Sequence, residues 1–372
     1  VGIATTSPTS LLHTIASGAK TAAYIGNSLT NTATSSTASI TKTGLNVESA
    51  GTWNGTSAIN RGLYVNATGG TVNYSAIFDG GNVGINTASP GYKLQVSGGD
   101  IDAATSTNGY RINGNYVLYH NGTTTDIFVG VNAGNATMTG HGNTFTGNYA
   151  GNSISSGYDN TFTGYEAGKL TTTGHDNTFN GYRAGKANTA GDYFTAIGFN
   201  AGTANTIGDY NTMVGSYAGT TNTTGGWNTF LGYGAGSYHL DADSNVYIGH
   251  NAGYFNVSGD GNTICGITAG RGVSNNSYSH NSYFGNNAGY STSTGSANTA
   301  IGTRAGYNLT TGNNSTFLGY GADANGQYSN ATAIGYGAIV DGSDRVWLGN
   351  STANKVYVAT GGSYNVGSDG RF

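Results

Sequence analysis

The 372-residue chain has one cysteine, two prolines and very little charge. With Cys265 alone, no disulfide forms within the chain, so packing and hydrogen bonds must hold the fold. Charged residues are 8% of the total, against about 25% in ordinary domains. The net charge is −4 and no basic run occurs, so nucleic acid is not an expected partner. No apolar stretch approaches the ~18 residues of a membrane span, and no membrane insertion is expected. The seven histidines show no metal-ligand spacing, and neither a metal nor a cofactor is expected. No leader segment is visible, yet the chain begins at Val1. The expectation is a processed or partial chain whose export signal, if it has one, lies out of view.

What is abundant is glycine, 65 of 372 residues, with 27 tyrosines. Aromatics at 11% argue against a disordered linker, which lacks such anchors. The glycines are periodic. "NTFTGNYAG" (143–151) is followed by "NTFTGYEAG" (160–168) and "NTFNGYRAG" (177–185). The central glycine recurs every 17 residues from Gly130 through Gly147, Gly164, Gly181, Gly198, Gly215, Gly232 and Gly249 to Gly266. It continues at Gly285, Gly302, Gly319, Gly335 and Gly349, with steps of 19, 17, 17, 16 and 14. Alanine follows three residues on (Ala150, Ala167, Ala184), a second glycine ten residues on, and asparagine stands four before (Asn143, Asn160, Asn177).

A fixed short period with these markers reads as an all-β parallel β-roll or β-solenoid. Glycine supplies positive φ at corners, alanine fits where coils approach closely, and asparagine tolerates left-handed backbone and hydrogen-bonds up a column. Seventeen residues suit a coil of two or three short strands, and fourteen coils stacked at about 4.8 Å make a rod of roughly 65 Å.

Strand alternation separates two faces. Two residues before the central glycine the slot is mostly apolar, from Phe128 to Trp347, and fills the interior. One residue before it, the early coils carry Val129, Thr146, Thr163 and Asn180. Later coils carry Ile197, Val214, Leu231, Ile248, Cys265, Phe284, Ile301 and Leu318. A thin solenoid has nothing of its own to cover this second apolar face. A homo-oligomer is therefore expected, with the alternative of a wider coil that buries both faces internally.

"ATAIGYGAIVDGSDRVWLGN" (331–350) resembles the head repeats of trimeric autotransporter adhesins, although the 17-residue unit is longer than the spacing typical there. "VGINTASPGYKLQVSG" (83–98) resembles a module of phage tail fibres, and its opening echoes "VGIATTSP" (1–8). "GSDGRF" (367–372) resembles the junction between such fibres and a C-terminal intramolecular chaperone of the endosialidase type. These resemblances imply a homotrimeric fibre. The last implies self-cleavage at Ser368, beside Asp369, in a chain that continues past that point to Phe372.

The expected organisation is a β-rich shaft or connector over 1–98, a hairpin linker over 99–126 turning at Asn113 and Gly114, a solenoid over 127–349, and a tail over 350–372. Within the shaft, 10–20 reads equally as a short helix or a strand.

Chemistry is sparse. Glu166 and Arg183 share an exposed slot in adjacent coils and are expected to form a surface pair worth under ~1 kcal/mol. Cys265 is expected to be a buried, inert thiol. His141 and His175 read as surface turn residues. The acidic turns "DADSN" (241–245) and "SGDGN" (258–262) match neither an EF-hand loop nor the Ca²⁺-binding nonapeptide repeat and read as solvated turns, with Ca²⁺ binding the alternative. Tyr165, Tyr182, Tyr233, Tyr320 and Tyr336 share the slot after the central glycine. Packing between coils is the expected use, and stacking on sugars the alternative. No paired carboxylates recur, so no enzyme is expected.

The expected function is a non-enzymatic extracellular fibre, a phage tail fibre or similar appendage that attaches to a cell-surface glycan or protein receptor. The alternatives are a bacterial trimeric adhesin or self-assembling filament, and an ice- or carbohydrate-binding solenoid using the threonine column three before the glycine.

Overall fold

A computed structural model describes residues 83–85, 94–96, 110–112, 115–119 and 125–352. The strand readings over 9–82, the alternative at 10–20, the junction at Ser368 and Asp369, and the tail beyond 352 lie outside the described residues. All regular structure described is β, in twenty strands. The chain divides into two units, Val1–Ile101 and Asp102–Phe372. In the first, β1 (Val83–Ile85) pairs in parallel with β2 (Leu94–Val96).

The second unit is a parallel β-solenoid. Fourteen short parallel strands, from β5 (Ile127–Val129) to β20 (Val346–Leu348), form one continuous ladder and bound thirteen coils. Each strand pairs with its counterpart one repeat on, as Thr161, Phe162 and Thr163 pair with Thr178, Phe179 and Asn180. The irregular steps do not disturb the register. Cys265 still pairs with Phe284 across the 19-residue step, and Leu318 with Ile334 across the 16-residue step, because the length change is taken up in turns. Ahead of the ladder, β3 (Tyr110–Ile112) and β4 (Asn115–Tyr119) pair antiparallel across Asn113 and Gly114, which are themselves outside the described residues. β4 then pairs antiparallel with β5 and closes the first coil. Tyr119 sets its ring edge-on to Phe128 at 5.2 Å and donates its hydroxyl to the Ala133 carbonyl.

Each coil carries one regular strand rather than the two or three expected. The sole second ladder joins β17 (Asp323–Ala324) to β19 (Ile339–Val340). Left-handed residues interrupt the remainder of the coil too often for a strand to form. In one coil Asp159, Glu166 and Gly168 have φ of 54°, 53° and 55°. The turns stack all the same, because each passes backbone hydrogen bonds to the next, as from Gly151 N to Ala167 O at 3.0 Å and from Gly168 N to Ala184 O at 3.0 Å.

The interior is filled by columns. Phe145, Phe162 and Phe179 are wholly buried and stack with centroids 4.9 and 4.5 Å apart, beside the buried Ala150, Ala167 and Ala184. One coil exchanges its volumes. It places Phe194 where its neighbours have Asn177 and Asn211, and Ala196 where they have Phe179 and Met213, and the Phe194 ring packs edge-on against Phe179 at 5.1 Å. The ring displaced from one slot is thus supplied from the other, which keeps this coil filled beside Phe179. At the far end Trp347 occupies the core slot but is 37% exposed, with nothing stacked above it among the described residues.

Two conformational expectations are corrected. Gly157, of the column ten after the central glycine, is not at positive φ. It is needed because a Cβ would lie 2.3 Å from the Gly174 carbonyl oxygen. The asparagines of the Asn143–Asn160–Asn177 column are not left-handed either. The residues just before them are, including Asp159 and Asp176. The column serves hydrogen bonding instead. Asn160 donates from its backbone and from Nδ2 to Asn143 Oδ1, both at 3.1 Å, and from Nδ2 to the Gly174 carbonyl at 2.9 Å. The central glycines do combine positive φ with close approach. Gly164 has φ +134°, and a Cβ there would lie 2.3 Å from the Gly181 carbonyl oxygen.

Candidate functional site

The strand ladder presents one outer face of two columns. The buried slot lies between them, so the threonines three before the glycine and the residues one before it both point outward. Ile197, Leu231 and Leu318 are 39–46% exposed; Ile248, Phe284 and Ile301 are likewise exposed, and Val214 is half-buried. The wider coil that buries both faces is therefore excluded: the interior is already filled by the phenylalanine, alanine and asparagine columns. Cys265 corrects an expectation. It is half-buried on this outer face, between Ile248 and Phe284, and does not lie in the core.

Glu166 and Arg183 do pair, at 2.9 Å, but the slot is not exposed at Glu166, which is 5% accessible. Lys169 and Lys186 join from 2.6 and 2.8 Å. Burial pushes the carboxyl upward, but hydrogen bonds from Lys169, Lys186 and Arg183 outweigh it and bring the pKa down from 4.5 to about 2. The carboxylate thus ties three cationic side chains from two adjacent coils together.

The acidic turns serve the same stacking. Asp243 Oδ1 accepts from Gly226 N at 2.7 Å, and Asp260 Oδ1 accepts from Asp243 N at 2.8 Å. His175 bridges Asp176 and Asp192 at 3.0 and 2.9 Å, and its ring stacks on Tyr158, which stacks on His141. Among the described residues no group of three or more His, Cys, Asp or Glu side chains is placed to hold a metal.

The tyrosine column is used between coils. Tyr165 stacks on Tyr182 at 5.3 Å and Tyr320 on Tyr336 at 5.4 Å, while Tyr233 stacks on His250. Beside this column run two hollows. The first, about 320 Å³, is walled by Arg304, Tyr307, Tyr320, Asp323 and Tyr336, and floored by Gly321 and Gly337. The second, about 300 Å³, is walled by Tyr217, Tyr233, Tyr238 and Tyr254, and floored by Gly234. Gly234, Gly321 and Gly337 share the slot two after the central glycine, where most other coils place a side chain such as Glu166, Arg183 or Arg304. At Gly321 the space of the missing side chain is open, whereas at Gly234 a Cβ would lie 2.3 Å from Asn251 Oδ1.

Two features escaped the sequence reading. A second buried amide column runs through Asn188, Asn205 and Asn222, with Nδ2-to-Oδ1 bonds of 3.0 and 2.9 Å. Its spacing of 17 was visible, but the shorter motif around it was not. His239 takes the next place in this column, wholly buried, with Nε2 2.9 Å from the Ala242 carbonyl and Nδ1 3.3 Å from that of Asn256. Burial pushes its pKa below the ordinary histidine value. Comparison of the chain with protein-family models, curated proteins and solved structures returns no match.

Proposed function

We propose that the chain is the protomer of a non-enzymatic homotrimeric fibre that reaches from its anchorage to a cell surface. The observation that carries this reading is the exposed apolar column from Ile197 to Leu348 on one face of the strand ladder. A lone solenoid leaves that column in water. Covering each half-exposed Ile or Leu contributes on the order of 1 kcal/mol, and seven of the ten residues in the column are Ile or Leu, with Val214, Cys265 and Phe284 between them. Closing three identical faces around one axis covers all of them without leaving an open edge. The resemblance of 331–350 to trimeric adhesin heads supports three copies over two. A phage tail fibre is the favoured setting, because of the likeness of 83–98 to a tail-fibre module, with a bacterial adhesin sharing the architecture.

The outer threonine column keeps an ice-binding solenoid as the second reading. The face changes from Thr146, Thr163 and Asn180 to Ile197 and beyond, whereas an ice-binding face repeats one surface throughout. Sedimentation equilibrium separates the two. Three times 37.7 kDa is expected, and a mass of 37.7 kDa overturns the fibre.

A further inference from the structure

We infer that the hollow above Gly321 binds a carboxylate-bearing sugar unit, such as a uronic acid residue of a surface polysaccharide. The inference rests on the reading of the chain as a surface-attachment fibre. The hollow itself is built by the solenoid whatever the number of chains.

The slot two after the central glycine carries two of the repeat region's arginines, Arg183 and Arg304, and the chain treats them differently. Arg183 donates from Nε to Glu166, the residue in the same slot one coil earlier, at 2.9 Å. Arg304 has Asn287 one coil earlier and Gly321 one coil later. It forms no ion pair among the described residues, is exposed, and lies over the Tyr307 ring at 4.7 Å. The carboxylate that Arg183 receives from its neighbour is missing at Arg304, and so is the side chain that would fill the space. A Cβ built on Gly321 meets no atom within 4 Å.

The other walls suit a sugar. Tyr320 and Tyr336 stack on each other, and Thr303 and Asn350 occupy the same column on either side, so no third ring covers the pair. Tyr336 is 71% exposed, the highest value of any tyrosine in the described residues. Aromatic faces of this kind take the apolar face of a pyranose. A volume of about 320 Å³ fits one sugar ring. Asn308 is spoken for on one side, since its backbone N and Nδ2 donate to Asp323. Asp323 is the one acidic group in the hollow. It is buried and its oxygens accept from Asn308 and Ala324; burial raises its pKa, while those hydrogen bonds and the charge of Arg304 act to lower it. Arg304 then pairs with the ligand carboxylate through a charge-assisted fork. The second hollow, at Gly234, has tyrosine walls and no cation, and does not share this preference.

The test is calorimetric titration of the full chain with an oligogalacturonate and, separately, with a neutral galactose oligomer. Binding of the acidic oligomer is expected, with the neutral one at least about tenfold weaker. Arg304→Gln should weaken acidic binding by about tenfold or more, while Arg183→Gln, whose charge is already paired, leaves it unchanged. Gly321→Asn fills the hollow and should abolish binding. Asn occupies the same slot at Asn132, Asn200, Asn251 and Asn287 with φ of 54–57°, so the backbone accepts it. Binding of neither oligomer, equal binding of both, or binding indifferent to Arg304→Gln and Gly321→Asn overturns the assignment. The same samples are weighed by sedimentation. A trimer that binds neither oligomer refutes the sugar site alone, and a monomer that binds the acidic one refutes the fibre alone.

Discussion

At His239 a single residue departs from a buried amide column, and the departure has a cost. Asn222 Oδ1 is buried without a hydrogen-bond partner among the described residues, in the place where the next asparagine would donate. His239→Asn supplies that donor and should raise stability by about 1 kcal/mol, read by chemical unfolding. The same substitution removes an acid sensitivity. Because the folded-state pKa of His239 lies below the ordinary value, the unfolded chain takes up the proton first, and stability falls as pH drops from the ordinary histidine range toward the folded pKa. The loss between pH 7.5 and 5 should shrink in His239→Asn. Glu166 acts in a more acidic window. Its pKa is held at about 2, so its stabilisation is complete above 4.5 and drains away between the two values. Glu166→Gln should cost about 2 kcal/mol at pH 7 and leave a chain whose stability changes less between pH 4.5 and 2.

The element of this molecule is the coil, and the exchange between Phe194 and Ala196 shows what a coil must conserve. Ala196→Phe alone places a second ring beside Phe179 and Phe194 and should destabilise by about 1–3 kcal/mol. Adding Phe194→Asn restores the Asn177 and Phe179 arrangement of the preceding coil and should recover most of that loss, a coupling that unfolding of the two single variants and the double variant measures. The register makes the coil a removable unit. Deleting residues 199–215 takes out one full period, joins Gly198 to Ser216, and should leave β circular dichroism and a cooperative unfolding transition. Deleting 199–207 moves strand residues into turn slots and should abolish both.

For the whole molecule the decisive quantity is the cover of the outer aliphatic column, and Cys265 reports on it. It stands between Ile248 and Phe284 on that face. In a trimer it should react with a maleimide at least about tenfold more slowly than in a single chain. The double variant Ile248→Lys/Phe284→Lys should sediment at 37.7 kDa, keep its β circular dichroism, and label rapidly. Rapid labelling of the unaltered chain would instead show that the face is open.

Much of this fold was legible in the residues. The period, the buried slot from Phe128 onward, the positive φ at Gly164 and the stacking of Tyr165 on Tyr182 follow from recurrence and residue type, because a parallel ladder brings equivalent positions of successive repeats together. The outward direction of Ile197, Leu231 and Leu318 followed from strand alternation in the same way. The left-handed corners at Glu166 and Arg183 did not, because those residue types carry no signal for positive φ. Nor did the burial of Glu166, which depends on Lys169 and Lys186 converging from two coils. The hollow above Gly321 was equally hidden. A missing side chain makes a cavity only where the walls around it are fixed, and those walls are set by how three successive coils stack.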